Sequence, residues 1–126
     1  MNALGRFGED YAARQFQQSG CTVLERSWRA GHGEIDLIVL DGEDLVFAEV
    51  KTRSPDYLVR PAEAVGPAKR RKIIETAVRY TMEHPEYSGF QPRFDVVEIV
   101  AQPADGEWRV LDFAHWKGAF DANGSV

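Results

Sequence analysis

The chain has 126 residues, a formal net charge of −5, 44% hydrophobic residues and 28% charged residues, which is typical of one soluble globular domain. Its lone cysteine, Cys21, excludes an internal disulfide, and we expect a reducing, cytoplasmic setting with no membrane span. The negative charge excludes a surface that wraps nucleic acid and leaves room only for a local basic patch.

The first predicted element is an amphipathic helix over residues 3–18, which ends at Ser19 and Gly20. Gly5 and Gly8 are poor helix formers, so they suggest close packing or the approach of a phosphate backbone. Glu9 lies in the early turns, where the helix dipole favours a carboxylate, and a surface position is its simplest interpretation. The apolar positions that recur at helical spacing are Leu4, Phe7, Tyr11, Ala12 and Phe16.

A first strand is predicted over residues 21–28, followed by a mobile, glycine-rich loop over residues 29–33. In this loop Arg29 is a candidate phosphate ligand, because a guanidinium group matches phosphate oxygens in bidentate fashion. His32 is either a general base or metal ligand or, more simply, a solvated turn residue.

Two apolar runs, residues 33–40 and 45–53, flank four turn-forming residues and predict a β-hairpin with Gly42 and Glu43 as its two-residue loop. The predicted cross-strand pairs are Asp41 with Asp44, Leu40 with Leu45, Ile38 with Phe47, Asp36 with Glu49, and Glu34 with Lys51. Strand alternation places the last four pairs on one face, opposite Ile35, Leu37, Val39, Val46, Ala48 and Val50. Both faces are mostly apolar, so we expect both to be covered.

The predicted pair of Asp36 and Glu49 carries the chemistry of the hairpin. Two carboxylates held about 5 Å apart repel each other by roughly 3 kcal/mol at an effective dielectric constant of about 20. A divalent cation bound by their oxygens would offset this repulsion, as would a shared proton or two salt bridges. With Lys51 beside them, the acids make a complete site for metal-assisted attack on phosphate. Alternatively, they are strand-end acids that pair with Lys51, Arg53 or Arg29.

Downstream, residues 54–61 contain two prolines and predict a loop beside this site. Pro67 begins a helix that runs to about residue 84, and its first turns carry Lys69, Arg70, Arg71 and Lys72, which form either a solvated face or a phosphate-binding cluster. Strands are predicted over residues 93–101 and 107–113, joined by a turn at Asp105 and Gly106. We therefore expect one domain over residues 1–120 and a polar, disordered tail over residues 121–126.

The order of these elements predicts an α/β fold with a mixed central sheet of about five strands flanked by helices. The residues of the predicted hairpin also resemble a known superfamily. Asp36, followed after a turn by Glu49-Val50-Lys51, resembles the PD-(D/E)xK core of restriction-endonuclease-like nucleases, without the proline of that motif. Four blocks in order resemble the YraN family of small bacterial proteins: Gly5-Arg6-Phe7-Gly8-Glu9, Gly33-Glu34-Ile35-Asp36-Leu37-Ile38, Phe47-Ala48-Glu49-Val50-Lys51-Thr52-Arg53 and Arg93-Phe94-Asp95-Val96-Val97.

The resemblance implies a restriction-endonuclease-like sandwich that hydrolyses phosphodiesters in nucleic acid with Mg²⁺ or Mn²⁺. It implies catalytic roles for Asp36, Glu49 and Lys51 and a metal site formed by Asp36, Glu49 and the Val50 carbonyl, extended by Glu9. Glu34 would hold the Lys51 ammonium group, and Arg53 would support the site. The residues expected to hold the phosphate backbone are Arg29, Lys69, Arg71 and Lys72.

A Holliday-junction resolvase is the nearest analogue within the superfamily, so a structure-specific nuclease that acts on DNA rather than RNA, as a homodimer, is the narrower expectation. The first alternative is a nucleic-acid-binding or protein-interaction module that keeps the fold but cuts weakly or not at all. The second, hydrolysis of a small phosphate ester, lacks a recognisable specificity pocket in the sequence.

Overall fold

The structure, a computed structural model, describes residues 1–55 and 65–126. Helix α1 spans Ala3–Gln18 and helix α2 spans Pro67–Glu83, followed by a short 3₁₀ turn at Pro85–Tyr87. The strands are β1 (Thr22–Ala30), β2 (Gly33–Asp41), β3 (Asp44–Arg53), β4 (Gln91–Ala104) and β5 (Glu107–Phe120). The loop predicted over residues 54–61 lies mostly outside the described residues.

The five strands form one mixed sheet in the order β1-β2-β3-β4-β5, which confirms the predicted α/β architecture. Neighbouring strands are antiparallel except β3 and β4, which are parallel. A parallel pair needs a crossover connection, and α2 lies in that crossover. The chain therefore places β1 and β5 at the two edges of the sheet.

The turn between β2 and β3 is formed by Gly42 and Glu43, as predicted, and Gly42 has a left-handed φ of 59°. The register confirms the predicted pairs Asp41 with Asp44, Leu40 with Leu45, and Ile38 with Phe47. Towards the site, however, its last pair is Leu37 with Ala48, so the expected pairing of Asp36 with Glu49 is not part of the register.

The alternation of β2 is interrupted at Asp36. Ile35 and Ile38 both belong to the core on the α2 side, whereas Leu37 belongs to the core on the α1 side. The prediction that Ile35 shares a face with Leu37 is therefore wrong. In the neighbouring strand β1, Ser27 lies between the pairs Arg26–Leu37 and Trp28–Ile35, and it has a φ of 50°. A left-handed residue of this kind bends a strand and re-aims its side chains, which regular alternation cannot anticipate.

Within the described residues, one helix packs on each face of the sheet, and an apolar core lies beneath each helix. On one face α1 packs Ala12, Ala13 and Phe16 against the sheet, and on the other α2 packs Ile73, Ala77 and Tyr80. The hairpin β2–β3 contributes to both cores, which explains its nearly continuous apolar sequence.

Both helices contact the sheet at a glycine. A Cβ built on Gly8 of α1 would lie 1.8 Å from Thr52 Oγ1 of β3, and one built on Gly33 of β2 would lie 1.8 Å from Thr76 Oγ1 of α2. Only glycine permits these approaches, because any side chain would overlap the threonine. The close packing suggested for Gly8 is therefore present.

A buried ion-pair network joins β4 to three other strands. Asp95 is fully buried and accepts hydrogen bonds from Arg93 Nε and Nη2, each at 3.0 Å, and from the Gly118 amide at 3.0 Å. His115 Nε2 lies 2.7 Å from its Oδ2. Arg93 Nη1 also lies 2.9 Å from Asp41 and from Asp44, on either side of the hairpin turn. Asp95 thus links β4 directly to β5, and Arg93 links it to β2 and β3.

One connection differs from the sequence-based expectation. The segment expected to be a mobile loop is instead a tight turn at Gly31 and His32 between β1 and β2, with Gly31 at a φ of 58°.

At the C-terminus, β5 continues to Phe120. In the tail that follows, Asp121 accepts a hydrogen bond from the Ser125 amide, and the Gly124 carbonyl accepts one from Arg70. The disorder expected for residues 121–126 stays a prediction.

Within the described residues, no helix is long and apolar enough to cross a membrane.

The contact between Gly8 and Thr52 predicts an unusual effect of alanine. Alanine is favoured over glycine inside a helix by about 1 kcal/mol, yet we expect Gly8→Ala to lower the free energy of unfolding by about 1–3 kcal/mol because of the overlap with Thr52. Chemical denaturation measures this change. Gly89→Ala is the control, because a Cβ there meets no atom within 4 Å. A Gly8→Ala protein as stable as the wild type would contradict the contact.

The Asp95 network predicts a specific acid sensitivity. Although burial opposes ionisation, the hydrogen bonds from His115, Arg93 and Gly118 hold the pKa of Asp95 below its usual value. Its stabilising contribution is therefore present at neutral pH and is lost as the pH falls below the pKa of an unfolded aspartate, about 3.9. We expect Asp95→Asn to lower the free energy of unfolding at pH 7 by about 3 kcal/mol, and the difference from wild type to shrink on acidification. Denaturation curves at several pH values test this, with the exposed Asp112→Asn as control.

Candidate metal and phosphate site

Four acidic side chains line one cavity of about 390 Å³ at the end of the β2–β3 hairpin: Glu9, Glu34, Asp36 and Glu49. The cavity is also lined by Met1, Gly5, Arg29, Val50, Lys51 and Thr52. We call it the acid cavity. It brings together residues from α1, β1, β2 and β3, so the fold gathers most of the predicted site into one place.

Glu9 reaches the cavity from α1. Its side chain is buried, and its oxygens lie 3.2 and 3.3 Å from Ser27 Oγ and 3.4 Å from Arg26 Nε. Arg26 also pairs with Asp10. The surface position that seemed simplest for Glu9 is therefore wrong: the carboxylate points inward and is held by two side chains of β1.

Asp36 is the central acid. Its Oδ2 accepts a 2.7 Å hydrogen bond from the Val50 amide, where the register of β2 and β3 has ended. Burial raises its pKa to about 7, and the charge of Glu49 adds to this, while the Val50 hydrogen bond acts in the opposite direction. The surroundings of Asp36 therefore favour its protonated form up to about pH 7.

Glu49 is buried and faces two lysines. Its Oε1 lies 3.3 Å from Lys51 Nζ and 3.6 Å from Lys69 Nζ. Lys51 was expected to pair with Glu34, but Glu34 instead lies 3.5 Å from Arg29 Nε, its neighbour in the register of β1 and β2. In the structure the pairing of β2 with β3 ends before it reaches Glu34. Lys51 therefore pairs with Glu49, which lies on its own strand.

The remaining predicted residues lie around the cavity. Arg53 is not among its lining residues, and its Nε lies 3.8 Å from Glu98 Oε2 on β4. In the basic cluster of α2, Lys69 reaches Glu49, Arg71 is exposed, and Lys72 lines a neighbouring pocket. Arg70 has a structural position, since it donates to the carbonyls of Val65 and Gly124. The four basic residues therefore do not form a single patch: Arg70 holds the backbone, whereas Lys69, Arg71 and Lys72 are exposed.

Comparison with known proteins identifies the family. The model of a family described as "Uncharacterised protein family UPF0102" matches residues 8–99. A UPF0102 protein of Frankia casuarinae is 49% identical over 119 residues, which cover 94% of this chain and 97% of that protein. A UPF0102 protein of Anaeromyxobacter dehalogenans is 40% identical over 124 residues, covering 97% and 87% of the two chains. This chain belongs to the UPF0102 family. The YraN-like resemblance is confirmed, and UPF0102 belongs to the PD-(D/E)xK nuclease-like superfamily.

Among solved structures, the UPF0102 chain is similar to Pyrococcus furiosus SfsA, solved in complex with Ca²⁺, at a TM-score of 0.37 and 13% identity. The match covers 86% of this chain, which spans 60% of the SfsA chain.

The acid cavity has donor chemistry that fits a hard divalent cation, because carboxylate oxygens and backbone carbonyls are the ligands that Mg²⁺ and Mn²⁺ prefer. The pKa of Asp36 is raised mainly by burial and then by the charge of Glu49, and a bound cation would offset both effects. In the described part of the chain, no three His, Cys, Asp or Glu side chains are already grouped closely enough to hold a metal ion. The residues that would hold one are Asp36 and Glu49, with the Val50 carbonyl and Glu9 as further donors.

Three contributors to this site were not predicted from the sequence. Arg26 and Ser27 hold Glu9, and Lys69 reaches Glu49 although it was assigned only to phosphate binding. The regular alternation of β1 gave no sign that Arg26 and Ser27, adjacent in sequence, would both bond one carboxylate. That arrangement follows from the left-handed backbone of Ser27.

The raised pKa of Asp36 predicts how the stability of this chain depends on pH without metal. The folded chain keeps the Asp36 proton to about pH 7, whereas the unfolded chain releases it near the ordinary aspartate pKa of 3.8, so this group destabilises the fold as the pH rises between these values. We expect Asp36→Asn to remove that loss, which amounts to at most about 4 kcal/mol, and to raise the melting temperature at pH 8 more than at pH 5. Thermal melting in EDTA measures it.

Glu43→Gln, in the exposed β2–β3 turn, is the control for this experiment and is expected to follow the wild-type profile. An equal effect of Asp36→Asn at both pH values would contradict the protonation of Asp36.

Proposed function

We propose that the acid cavity is the active centre of a metal-dependent phosphodiesterase that hydrolyses nucleic acid. The observation that carries the proposal is the meeting of Asp36, Glu49 and Lys51 in one cavity, together with Glu9 from a separate helix. If the strand acids Glu34, Asp36 and Glu49 were only solvated strand ends, nothing would explain why the buried Glu9 of α1 lies in the same cavity. The lone thiol Cys21 agrees with a cytoplasmic setting for this activity.

A cation at Asp36 and Glu49 would polarise a phosphoryl oxygen and lower the pKa of a bound water molecule. The chain's own groups supply the rest. The Lys51 ammonium group, 28% exposed and 3.3 Å from Glu49, is placed to orient the attacking water or to stabilise negative charge on the phosphorane. The Val50 amide fixes the Asp36 carboxylate at 2.7 Å. Arg26 and Ser27 hold Glu9 in one orientation.

Cations around the cavity supply contacts for a phosphate backbone. Arg29 is 75% exposed in its side chain and Lys69 is 45% exposed, so both are accessible to a polyanion. Arg29 pairs with Glu34 and Lys69 pairs with Glu49, so each positive charge at the rim of the cavity has a carboxylate beside it in the free protein. By analogy with Holliday-junction resolvases, we further propose that the protein is a structure-specific DNA endonuclease that acts as a homodimer.

A specific observation favours a second function, a nucleic-acid-binding module that does not cut. Glu49 is already neutralised by Lys51 and Lys69, an arrangement that needs no metal. Melting curves separate the two functions, because a cation that binds only the folded chain raises its melting temperature. For the nuclease we expect a Mg²⁺- or Mn²⁺-dependent rise that is absent in Asp36→Asn; a binding module would show none.

The nuclease proposal predicts cleavage that depends on metal and on named residues. Labelled branched, flapped, single-stranded and duplex DNA and RNA are incubated with Mg²⁺ or Mn²⁺. We expect one substrate class to be cut, and Glu49→Gln and Lys51→Met each to lower the rate by about 100-fold or more. Both variants retain side chains of similar size, and melting curves verify that they fold.

Glu107→Gln, an exposed change at the start of β5, is expected to cleave at the wild-type rate. Cleavage by Glu49→Gln at that same rate would overturn the proposal, because the activity would then come from another site or a contaminant.

A further inference from the structure

A second polar pocket lies beside the acid cavity, between the β1–β2 turn and α2. Its volume is about 240 Å³. One wall is the turn Ala30-Gly31-His32-Gly33, and the other consists of Lys72, Glu75, Thr76 and Arg79, all on one side of α2. We call it the hairpin pocket. Lys72, predicted to bind phosphate, and His32, a candidate base or metal ligand, both line it.

The two walls are held in a fixed relation by the contact between Gly33 and Thr76. Thr76 is buried, and its Oγ1 occupies the space that a side chain at residue 33 would need. The same hydroxyl donates a 2.7 Å hydrogen bond to the Lys72 carbonyl, which fixes its rotamer. The pocket is therefore built into the packing of α2 on the sheet and does not depend on how a loop is placed.

The lining of the hairpin pocket contains two cations, Lys72 and Arg79, and one carboxylate, Glu75. Arg79 Nε lies 3.5 Å from Glu83, while its Nη1 is directed to the turn, 3.8 Å from the position of a Cβ at Gly31. His32 adds a ring nitrogen at the turn. Two cations and a glycine backbone that permits close approach form a suitable surface for a phosphate group.

The hairpin pocket is continuous in sequence with the acid cavity. Arg29 and Glu34 line the acid cavity, and they directly precede and follow the four turn residues, 30–33, that line the hairpin pocket. Along α2, Lys69 Nζ lies 3.6 Å from Glu49 of the acid cavity, and Lys72, one turn further, lines the hairpin pocket. Two rows of residues thus run from one site into the other.

We propose that the hairpin pocket binds a backbone phosphate of the same nucleic-acid strand whose reacting phosphate lies in the acid cavity. This inference rests on the proposed function, and it adds a residue, Arg79, and a substrate requirement. The substrate is a polynucleotide that continues past the reacting phosphate, because a mononucleotide or small phosphate ester cannot reach both sites. The negative charge of Glu75 weakens the binding of the phosphate. Binding therefore requires contacts with both Lys72 and Arg79.

The test measures binding without cleavage. Fluorescence anisotropy follows labelled oligothymidylates of increasing length in EDTA, over a range of salt concentrations. We expect Lys72→Gln/Arg79→Gln to weaken the binding of long oligomers by about threefold to tenfold and to lower the salt slope by about 0.7, the value for one phosphate contact on a single strand. Mononucleotide binding should not change. Glu75→Gln should bind long oligomers more tightly.

Arg109→Gln, an exposed arginine on edge strand β5 that lines neither cavity, is the matched control. An unchanged salt slope in the double variant would overturn the hairpin-pocket site, as would a failure of the wild type to bind any oligomer. Neither result decides the nuclease proposal, because metal-dependent cleavage that is lost in Glu49→Gln would establish it independently. Melting curves for each variant exclude loss of folding as the cause.

Discussion

The whole site depends on two places where a glycine lets a threonine side chain pack directly against the backbone between a helix and the sheet. Gly8 brings α1 onto Thr52, and Gly33 brings β2 onto Thr76 of α2. In each case the next residue is a glutamate that lines the acid cavity, Glu9 or Glu34. The glycines therefore set the depth at which these acids enter the cavity, and the sequence Gly-Glu in both segments has one physical reason.

Three acids of the cavity have cationic partners. Glu9 has Arg26 together with Ser27, Glu34 has Arg29, and Glu49 has Lys51 and Lys69. Among the described residues, the partner of Asp36 is the Val50 amide, a neutral donor. Its pKa rises to about 7 because the side chain is buried and, in second place, because Glu49 is close, and the Val50 hydrogen bond offsets only part of this rise.

Most of the fold could be predicted from periodicity and turn chemistry, because these are local. The boundaries of α1, the Gly42–Glu43 turn and the two apolar faces of the hairpin all follow from short-range patterns. What failed was the extrapolation of strand alternation through Asp36. A left-handed Ser27 in the adjacent strand interrupts that alternation, and a serine carries no sequence signal for positive φ. Partners such as Arg26 for Glu9 are distant in sequence and could not be predicted.

The outer strands of the sheet have an irregular backbone. In β1 the register shifts between Val23 and Glu25, and in β5 Gly118 has a φ of 59° opposite a shift between Phe94 and Val96. An added strand needs an unbroken row of amide and carbonyl groups, and bulges of this kind shorten the regular row. The irregularities at β1 and β5 therefore disfavour the extension of this sheet by a further strand.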